Sequence, residues 1–344
     1  MTRVLHILPH RGGGAETYID VLERLDGFEH ARAPLAAGPS PAVAARSIPL
    51  RWPRIARAAH RAELIHVHGD VTAALVLPLL RGRPSVFTTH GLHFLRRAQG
   101  ARRAGAERAL RAVVGTARAT LCTSQAECDE LAALLGAAAA SRLSVVHNGV
   151  ELPAPVERGA RAEMRTELGL APQDVAVLFL GELSERKGVL DAAAAASAAA
   201  RSGARVVLLV AGDGPQSAQV AARASAAVRP LGYRRDAERL LAASDVFVLP
   251  SSREGLSFAV LEAMASGLAM VVSDGAGNPE AVGEAGIVVP AGDERALAAA
   301  LQELATNGIE RARLGAAARE RVRAQFSVEQ MLDGVQAGYR TALR

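Results

Sequence analysis

The chain has 344 residues, 40 basic and 35 acidic side chains, a formal net charge of +5, half of its residues hydrophobic and only 3% aromatic. That length suggests two domains, and sparse aromatics without an RNA-binding signature or a DNA-reading motif exclude nucleic acid as the partner of the basic excess. Cys122 and Cys128 form neither a metal-binding nor a secreted disulfide pattern, and no apolar run reaches about 18 residues, so the expectation is a cytoplasmic protein, soluble or peripheral at the inner face of the membrane.

In chain order, apolar strands alternate with alanine-rich helices, the pattern of an α/β fold with parallel sheets. A first set of strands is expected at Val4–Leu8, Leu64–Val67, Ser85–Thr88, Ala119–Thr123 and Leu143–His147. Val4 to Pro9 enters a glycine loop, which reads as a first strand and not as a signal peptide. The Pro-rich segment Glu151 to Val156 reads as a linker, and a second set follows at Val175–Leu180, Arg205–Ala211, Val246–Leu249, Ala269–Val272 and Gly286–Val289. Two domains are therefore expected over residues 1–150 and 151–325, with a helix over 326–344 packing back toward the first. Alanine runs at 137–140 and 192–200 are helix material and carry no separate message. Charge divides at the same boundary, because residues 1–150 hold 19 arginines against 11 carboxylates and residues 151–344 hold 21 basic against 24 acidic side chains. All nine histidines lie in the first part.

The chemistry sits where strands end. After the first strand, Arg11-Gly12-Gly13-Gly14 opens a helix, and its glycines let backbone N–H groups approach a phosphate or sugar closely. A dinucleotide fingerprint needs a glycine at Thr17 and an acid ending the second strand; both are missing, which rejects a dehydrogenase. His66 and His68 alternate on one strand face, but no third metal ligand with suitable spacing presents itself, so they read as structural. Lys187 is the only lysine. It lies in the loop Gly181 to Gly188 behind the strand Val175–Leu180, the position at which open α/β sheets bind ligands, and its compact ammonium suits a point contact to phosphate. The stretch Ser251 to Glu280 then sets Glu254 in a loop and Glu262 about a turn and a half into a helix opening near Ser257, whose hydroxyl can cap the first turn. The free N–H groups of that helix favour a diphosphate, Glu254 can accept from sugar hydroxyls, and Glu262 can accept from a ribose diol.

The run Glu254-Gly255-Leu256-Ser257 through Leu261-Glu262-Ala263-Met264-Ala265-Ser266-Gly267, with Asn278-Pro279-Glu280 downstream, resembles the E-x7-E signature of retaining GT-B glycosyltransferases of family 4. Weaker family segments recur in order from Arg11 to Val289, so the resemblance covers nearly the whole chain. It implies the GT-B fold, two Rossmann-like domains with parallel sheets facing across a cleft, the first on the acceptor side and the second binding a nucleotide-diphosphate sugar. By the same resemblance, Gly13 and Gly14 approach the donor diphosphate or the acceptor, His90 meets the transferred sugar, Gly212 and the backbone around Arg234 lie on the nucleotide side, and His147-Asn148-Gly149-Val150 ends the first domain. The sequence departs from the family pattern twice. Glu182 stands where many members carry an arginine on the diphosphate, so Arg186 with Lys187 is expected to supply the cations while Glu182 turns away. Leu256-Ser257 replaces a common aromatic and glycine, which reshapes the sugar pocket.

No D-x-D sequence occurs, and positive charge is expected from Arg186, Lys187 and the helix start, with neither metal nor cofactor. The reading is a retaining, metal-independent hexosyl-type transferase in polysaccharide biosynthesis, with His90, Arg186, Lys187 and Glu254 at the reacting centre and a UDP-sugar favoured over GDP-mannose as donor. The acceptor is a glycan, glycolipid or lipid-linked saccharide. The rivals are a GT-B nucleotide-sugar 2-epimerase and a non-catalytic nucleotide-sugar-binding subunit. Finally, Arg96, Arg97, Arg103, Arg108, Arg111 and Arg118 fall within about 140° if the segment is one helix, opposite Leu95, Ala106, Leu110, Val113 and Ala117. Such a face suits an anionic membrane surface or a lipid-diphosphate acceptor.

Overall fold

The computed structural model describes residues 1–38, 41–136, 140–154, 159–275 and 277–344. Pro155 and Val156 of the expected linker, and most of the 137–140 alanine run, lie outside the described residues. The chain divides into a unit of Met1–Asn148 with Val328–Arg344, and a second of Gly149–Ser327. Among the described residues no helix is long and apolar enough to cross a membrane.

The first unit holds β1 (Thr2–Leu8), β2 (Phe28–Pro34), β3 (Leu64–His68), β4 (Ser85–Thr88), β5 (Ala119–Cys122) and β6 (Leu143–Val145), all parallel in the order β2-β1-β3-β4-β5-β6. Side chains alternate across a strand, and here the two faces differ in kind. Leu5, Ile7, Ile65, Val67 and Phe87 join the apolar core with Ile55, Ala73, Leu110 and Val113. His6, His66 and His68, also fully buried, take the alternate positions. Tyr18, from the helix Gly14–Leu22, and Tyr339, from the helix Val328–Leu343, have ring contacts with that histidine row. The closing helix is fastened by Tyr339 Oη against His66 Nδ1 at 2.8 Å and by Arg118 donating to the Ala342 carbonyl at 2.9 Å.

The second unit holds β7 (Val175–Leu180), β8 (Val206–Ala211), β9 (Val228–Gly232), β10 (Val246–Leu249), β11 (Ala269–Ser273) and β12 (Gly286–Val289), again parallel, in the order β12-β11-β10-β7-β8-β9. Its strands are almost uninterrupted apolar runs, as a sheet buried on both faces requires. The chain winds outward from β7 to β9, then starts again at β10 and winds the other way. β7 and β10 are thus neighbours across the topological switch, the position at which open α/β sheets bind ligands. The helix Val189–Arg201 buries Ala192, Ala193, Ala195, Ala196 and Ala199, and such small side chains let it approach the sheet closely.

Loops at the carboxyl edge of this sheet are in direct contact. Gly212, behind β8, has φ 149°, and a Cβ there would fall onto the carbonyl oxygen of Gly181 behind β7. Gly115, within the helix Gly100–Thr116, has open space around it. Gly212→Ala is therefore expected to lower the midpoint of thermal unfolding by several degrees, whereas Gly115→Ala raises it slightly, since alanine is better than glycine inside a helix by about 1 kcal/mol. Differential scanning calorimetry of both variants reads the opposite signs.

Candidate active site

At the switch between β7 and β10 the structure brings together residues that lie about seventy positions apart. The β7 loop folds into one 3-10 turn, Glu185–Lys187. Arg186 Nη1 and Lys187 Nζ each lie 2.8 Å from the same oxygen, Oε1 of Glu254 in the β10 loop. All three side chains are largely buried. The two loops are also joined through backbone: Ser252 N donates to the Arg186 carbonyl at 2.9 Å, and Arg186 Nη1 donates to the Arg253 carbonyl at 3.2 Å. Glu254 is therefore an ion-pair partner of both cations and not an uncommitted acceptor. Glu182 does not turn away as expected: its Oε2 accepts from Arg186 Nη2 at 3.2 Å, on a half-exposed side chain. The physical reason is local, because four residues separate them around a tight turn and no other cation pairs with Glu182 among the described residues.

The helix Phe258–Ala265 begins after Ser257, whose backbone is extended (φ −74°, ψ 124°) but whose hydroxyl makes no capping hydrogen bond. The expected side-chain cap is absent, so the first-turn N–H groups are not spent on it. Leu256 is buried. Glu262, on this helix, is mostly buried, and burial, with Glu238 as a lesser cause, pushes its carboxyl up to about 7. No side-chain hydrogen bond or ion pair holds that carboxylate among the described residues. Behind β9, Arg234 forks onto Asp236 at 2.7 and 2.6 Å, so its guanidinium is committed and the backbone there is what remains for a ligand.

In the first unit the glycine loop is partly closed on itself. Gly13 stands before the helix with φ 78°, ahead of Gly14, and the Glu16 carboxylate accepts from Gly12 N at 2.5 Å, which puts negative charge where an anion was expected. His90 follows β4 with an unusual left-handed backbone (φ 52°), as does Leu92 (φ 46°). Two buried carboxylates that the sequence reading passed over hold this loop. Asp70 Oδ2 accepts from the N–H groups of Phe94 and Leu95 at 2.7 and 3.1 Å. Glu127 Oε2 accepts from Thr89 Oγ1 at 2.5 Å and from the Thr123 N–H and hydroxyl at 3.0 and 2.8 Å. Burial pushes both carboxyls up, against those hydrogen bonds. Ser124-x-x-Glu127 was the legible signal, since it is a capping-box spacing; Asp70 had none.

His90 Nε2 lies 3.0 Å from His68 Nδ1, and burial, followed by the charge of His93, pushes its imidazole down to about 3. The reading of His66 and His68 as a pair without a third ligand also needs correction. His6, sixty residues upstream, enters from β1, and ligand atoms of His6, His66 and His68 all lie within 4.8 Å of one another. Every ring nitrogen of the trio already sits at hydrogen-bond distance from a protein partner. Short sequence spacing could not show this, because parallel strands join residues across a long crossover.

The arginine face is corrected in part. The segment is two helices, His93–Arg97 and Gly100–Thr116, separated by extended backbone at Ala98 and Gln99. Arg96 pairs with Glu130 at 2.8 Å, Arg103 pairs with Glu107 at 2.7 Å and donates to the Leu95 carbonyl, and Arg118 holds Ala342. Arg97, Arg108 and Arg111 remain exposed, and Leu95, Ala106, Leu110, Val113 and Ala117 are buried as expected.

Comparison with known proteins places these residues in a wider set. The model for Glycosyltransferase Family 4 matches residues 6–153, and that for Glycosyl transferases group 1 matches residues 174–307. The α-maltose-1-phosphate synthase of Mycolicibacterium smegmatis is 32% identical over 298 residues, covering 78% of this chain and 76% of its own. The D-inositol 3-phosphate glycosyltransferase of Mycobacterium ulcerans is 31% identical over 342 residues, covering 90% and 72%. Among solved structures, Anabaena HepE in complex with UDP-glucose superposes with a TM-score of 0.81 at 19% identity, covering 99% of this chain and all of that one.

Two outcomes follow from the charges. If Glu262 must be ionised to accept from a ribose, nucleoside-diphosphate affinity falls by up to about tenfold as pH drops from 8 to 6, through its value near 7, and Glu262→Gln flattens the profile; calorimetry at each pH reads it. Glu254→Gln releases Arg186 and Lys187, so nucleoside-diphosphate affinity is expected to hold or rise while turnover of the intact donor falls by about tenfold or more. A parallel loss of both would give Glu254 a different role.

Proposed function

The chain belongs to the family 4 glycosyltransferases of GT-B type, and from that membership we propose that it transfers a hexose-type sugar from a nucleotide-diphosphate sugar with retention of anomeric configuration. The observation that carries the reading is the convergence of Arg186, Lys187 and the uncapped helix start behind Ser257 at the switch of the second sheet. These groups can stabilise a diphosphate as it leaves, since positive charge and fixed N–H dipoles act most where negative charge develops. Glu262, mostly buried and without an ion-pair partner among the described residues, suits a ribose diol. Arg234, committed to Asp236, leaves backbone groups for the base.

A UDP-sugar is the favoured donor and GDP-mannose the next. Support comes from the relation in fold to HepE, solved with UDP-glucose. The acceptor is read as a glycan, glycolipid or lipid-linked saccharide served by the first unit, with Gly13, Gly14 and His90 toward the reacting sugars. The exposed Arg97, Arg108 and Arg111 are proposed to favour an anionic membrane surface, each contributing about 1 kcal/mol, screened by salt. The chemistry is proposed to proceed without metal. The acceptor attacks on the face from which the diphosphate departs, and the leaving phosphate takes the acceptor proton.

A thermal-shift panel of UDP, GDP, ADP and their sugars tests the donor, because a ligand at 100 times its dissociation constant stabilises by about 2.7 kcal/mol. Lys187→Ala is expected to lower turnover more than donor affinity, since charge on the diphosphate grows as the bond breaks. Donor hydrolysis without acceptor should survive EDTA; collapse on chelation with restoration by magnesium would reject the metal-free route.

A further inference from the structure

Four histidines of the first unit form one unbroken hydrogen-bonded chain across four neighbouring strands. His30 Nδ1 lies 2.8 Å from His6 Nε2, His6 Nδ1 lies 3.0 Å from His68 Nε2, and His68 Nδ1 lies 3.0 Å from His90 Nε2. They come from β2, β1, β3 and the loop behind β4, in the spatial order of the sheet. Each link joins the Nδ1 of one ring to the Nε2 of the next. His6 and His68 are fully buried.

A neutral imidazole has one N–H and one lone pair. A chain of N–H···N bonds in this arrangement therefore has only two states, because the tautomer of one ring dictates that of the next. In one state every ring carries its proton on Nδ1, and in the other on Nε2. An imidazolium has no lone pair and would break the chain, and burial keeps all four rings neutral by pushing them below the ordinary histidine value. Among the described residues, no other group is hydrogen-bonded into the row: the buried Tyr18 hydroxyl makes no bond to it. His66 is taken by Thr88 Oγ1 at 2.7 Å and Tyr339 Oη at 2.8 Å, and Tyr18 meets the His90 and His68 rings edge-on.

The far end selects the state. His30 Nε2 is buried with no hydrogen-bond partner among the described residues. Were it protonated, the chain would end in an orphaned N–H, the rarest kind of unmet buried group. Arg32 and Glu23 stand beside His30, but they pair with each other at 2.7 Å, so their fields largely offset. The lone pair belongs at His30 Nε2, and every proton in the chain then sits on Nδ1.

We propose that His30, His6 and His68 are positioning residues for His90: they fix it as the Nδ1–H tautomer and so make it a hydrogen-bond donor toward an oxygen of the bound substrate. This rests on the reading of His90 as a substrate-facing residue; the tautomer itself does not. The left-handed backbone at His90, held by Asp70 and Glu127 on the loop around it, fixes the ring's position, and the histidine chain fixes which of its nitrogens carries the proton.

The test is long-range ¹H–¹⁵N spectroscopy of the histidine-labelled protein, with His30, His6, His68 and His90 assigned by single substitution. All four rings are expected to show the Nδ1–H pattern in the intact protein; an Nε2–H pattern at His90 overturns the proposal without any variant. His68→Leu severs the chain, so His90 should revert to Nε2–H and turnover fall by about tenfold with the donor KM little changed, because a wrong tautomer disables a correctly placed imidazole. His68→Gln, whose amide accepts from His6 and donates to His90 in the same order, should retain the tautomer and most of the turnover. Equal loss in the Leu and Gln variants would make His68 merely structural and overturn the proposal. So would one equivalent of zinc held by the purified protein through His6, His66 and His68, since coordination would replace the shared protons. Full turnover in His90→Ala, with the Nδ1–H pattern intact in the unmodified protein, would instead reject the substrate-facing reading.

Discussion

One carboxylate oxygen, Oε1 of Glu254, pairs with both Arg186 and Lys187, and the geometry of the β7 and β10 loops depends on it. Two positive charges brought side by side in a largely buried position repel strongly, and removing one partner of such a cluster leaves an uncompensated buried charge. Glu254 resolves that conflict and ties the β7 loop to the β10 loop across the switch point. It also stands where an anionic ligand group would be attracted. On the proposed function, a diphosphate at Arg186 and Lys187 would meet cations already assembled, so its binding would exchange partners and need not gather charge. Glu182, half-exposed and also on Arg186, weakens that attraction modestly.

The first unit solves a different problem. A parallel sheet buried on both faces normally carries apolar runs, yet here one face holds a row of imidazoles. Such a row is tolerable only if each polar nitrogen is paired, because a buried unmet donor or acceptor costs about 1–3 kcal/mol. The links among His30, His6, His68 and His90, with Thr88 and Tyr339 on His66, meet nearly all of that demand, and the buried imidazole nitrogen of the row left without a partner among the described residues, His30 Nε2, falls at the half-exposed edge strand.

What was legible in the sequence follows from how strongly each segment is constrained. β4, β7, β10 and β12 match the expected bounds, because short apolar runs ending in turn residues specify little else. β2 and β9 were not expected. Both are edge strands, and their sequences, FEHARAP and VRPLG, are half-exposed, charged and carry proline, which edges tolerate. The arginine face holds only if its segment is one helix, and the segment breaks at Ala98 and Gln99, where neither residue is a strong breaker, while Gly100 begins the next helix. The glutamates, the lysine and the loop histidine were visible because motif spacing is local. The histidine row and Asp70 were not, since their partners are assembled by sheet register and long crossovers, which leave no periodic trace; Glu127 showed only its capping-box spacing from Ser124, and its bond to Thr89 is likewise set by the fold.

Glu262 joins these strands of argument. On a strand end or loop, its carboxylate would meet water and ionise freely; one and a half turns into a helix that buries Val260, Leu261, Ala263 and Met264, it is carried inward with the apolar face. Its carboxyl is consequently poised near neutrality mainly by burial, with the charge of Glu238 a lesser cause. A carboxylate kept short of hydrogen bonds gains more from two hydroxyl donors than a solvated one, because it gives up little water to receive them. The same helix whose first-turn N–H groups are proposed to meet the diphosphate thus offers, from its interior, an acceptor whose affinity for a diol is raised by the cost of leaving it unpaired.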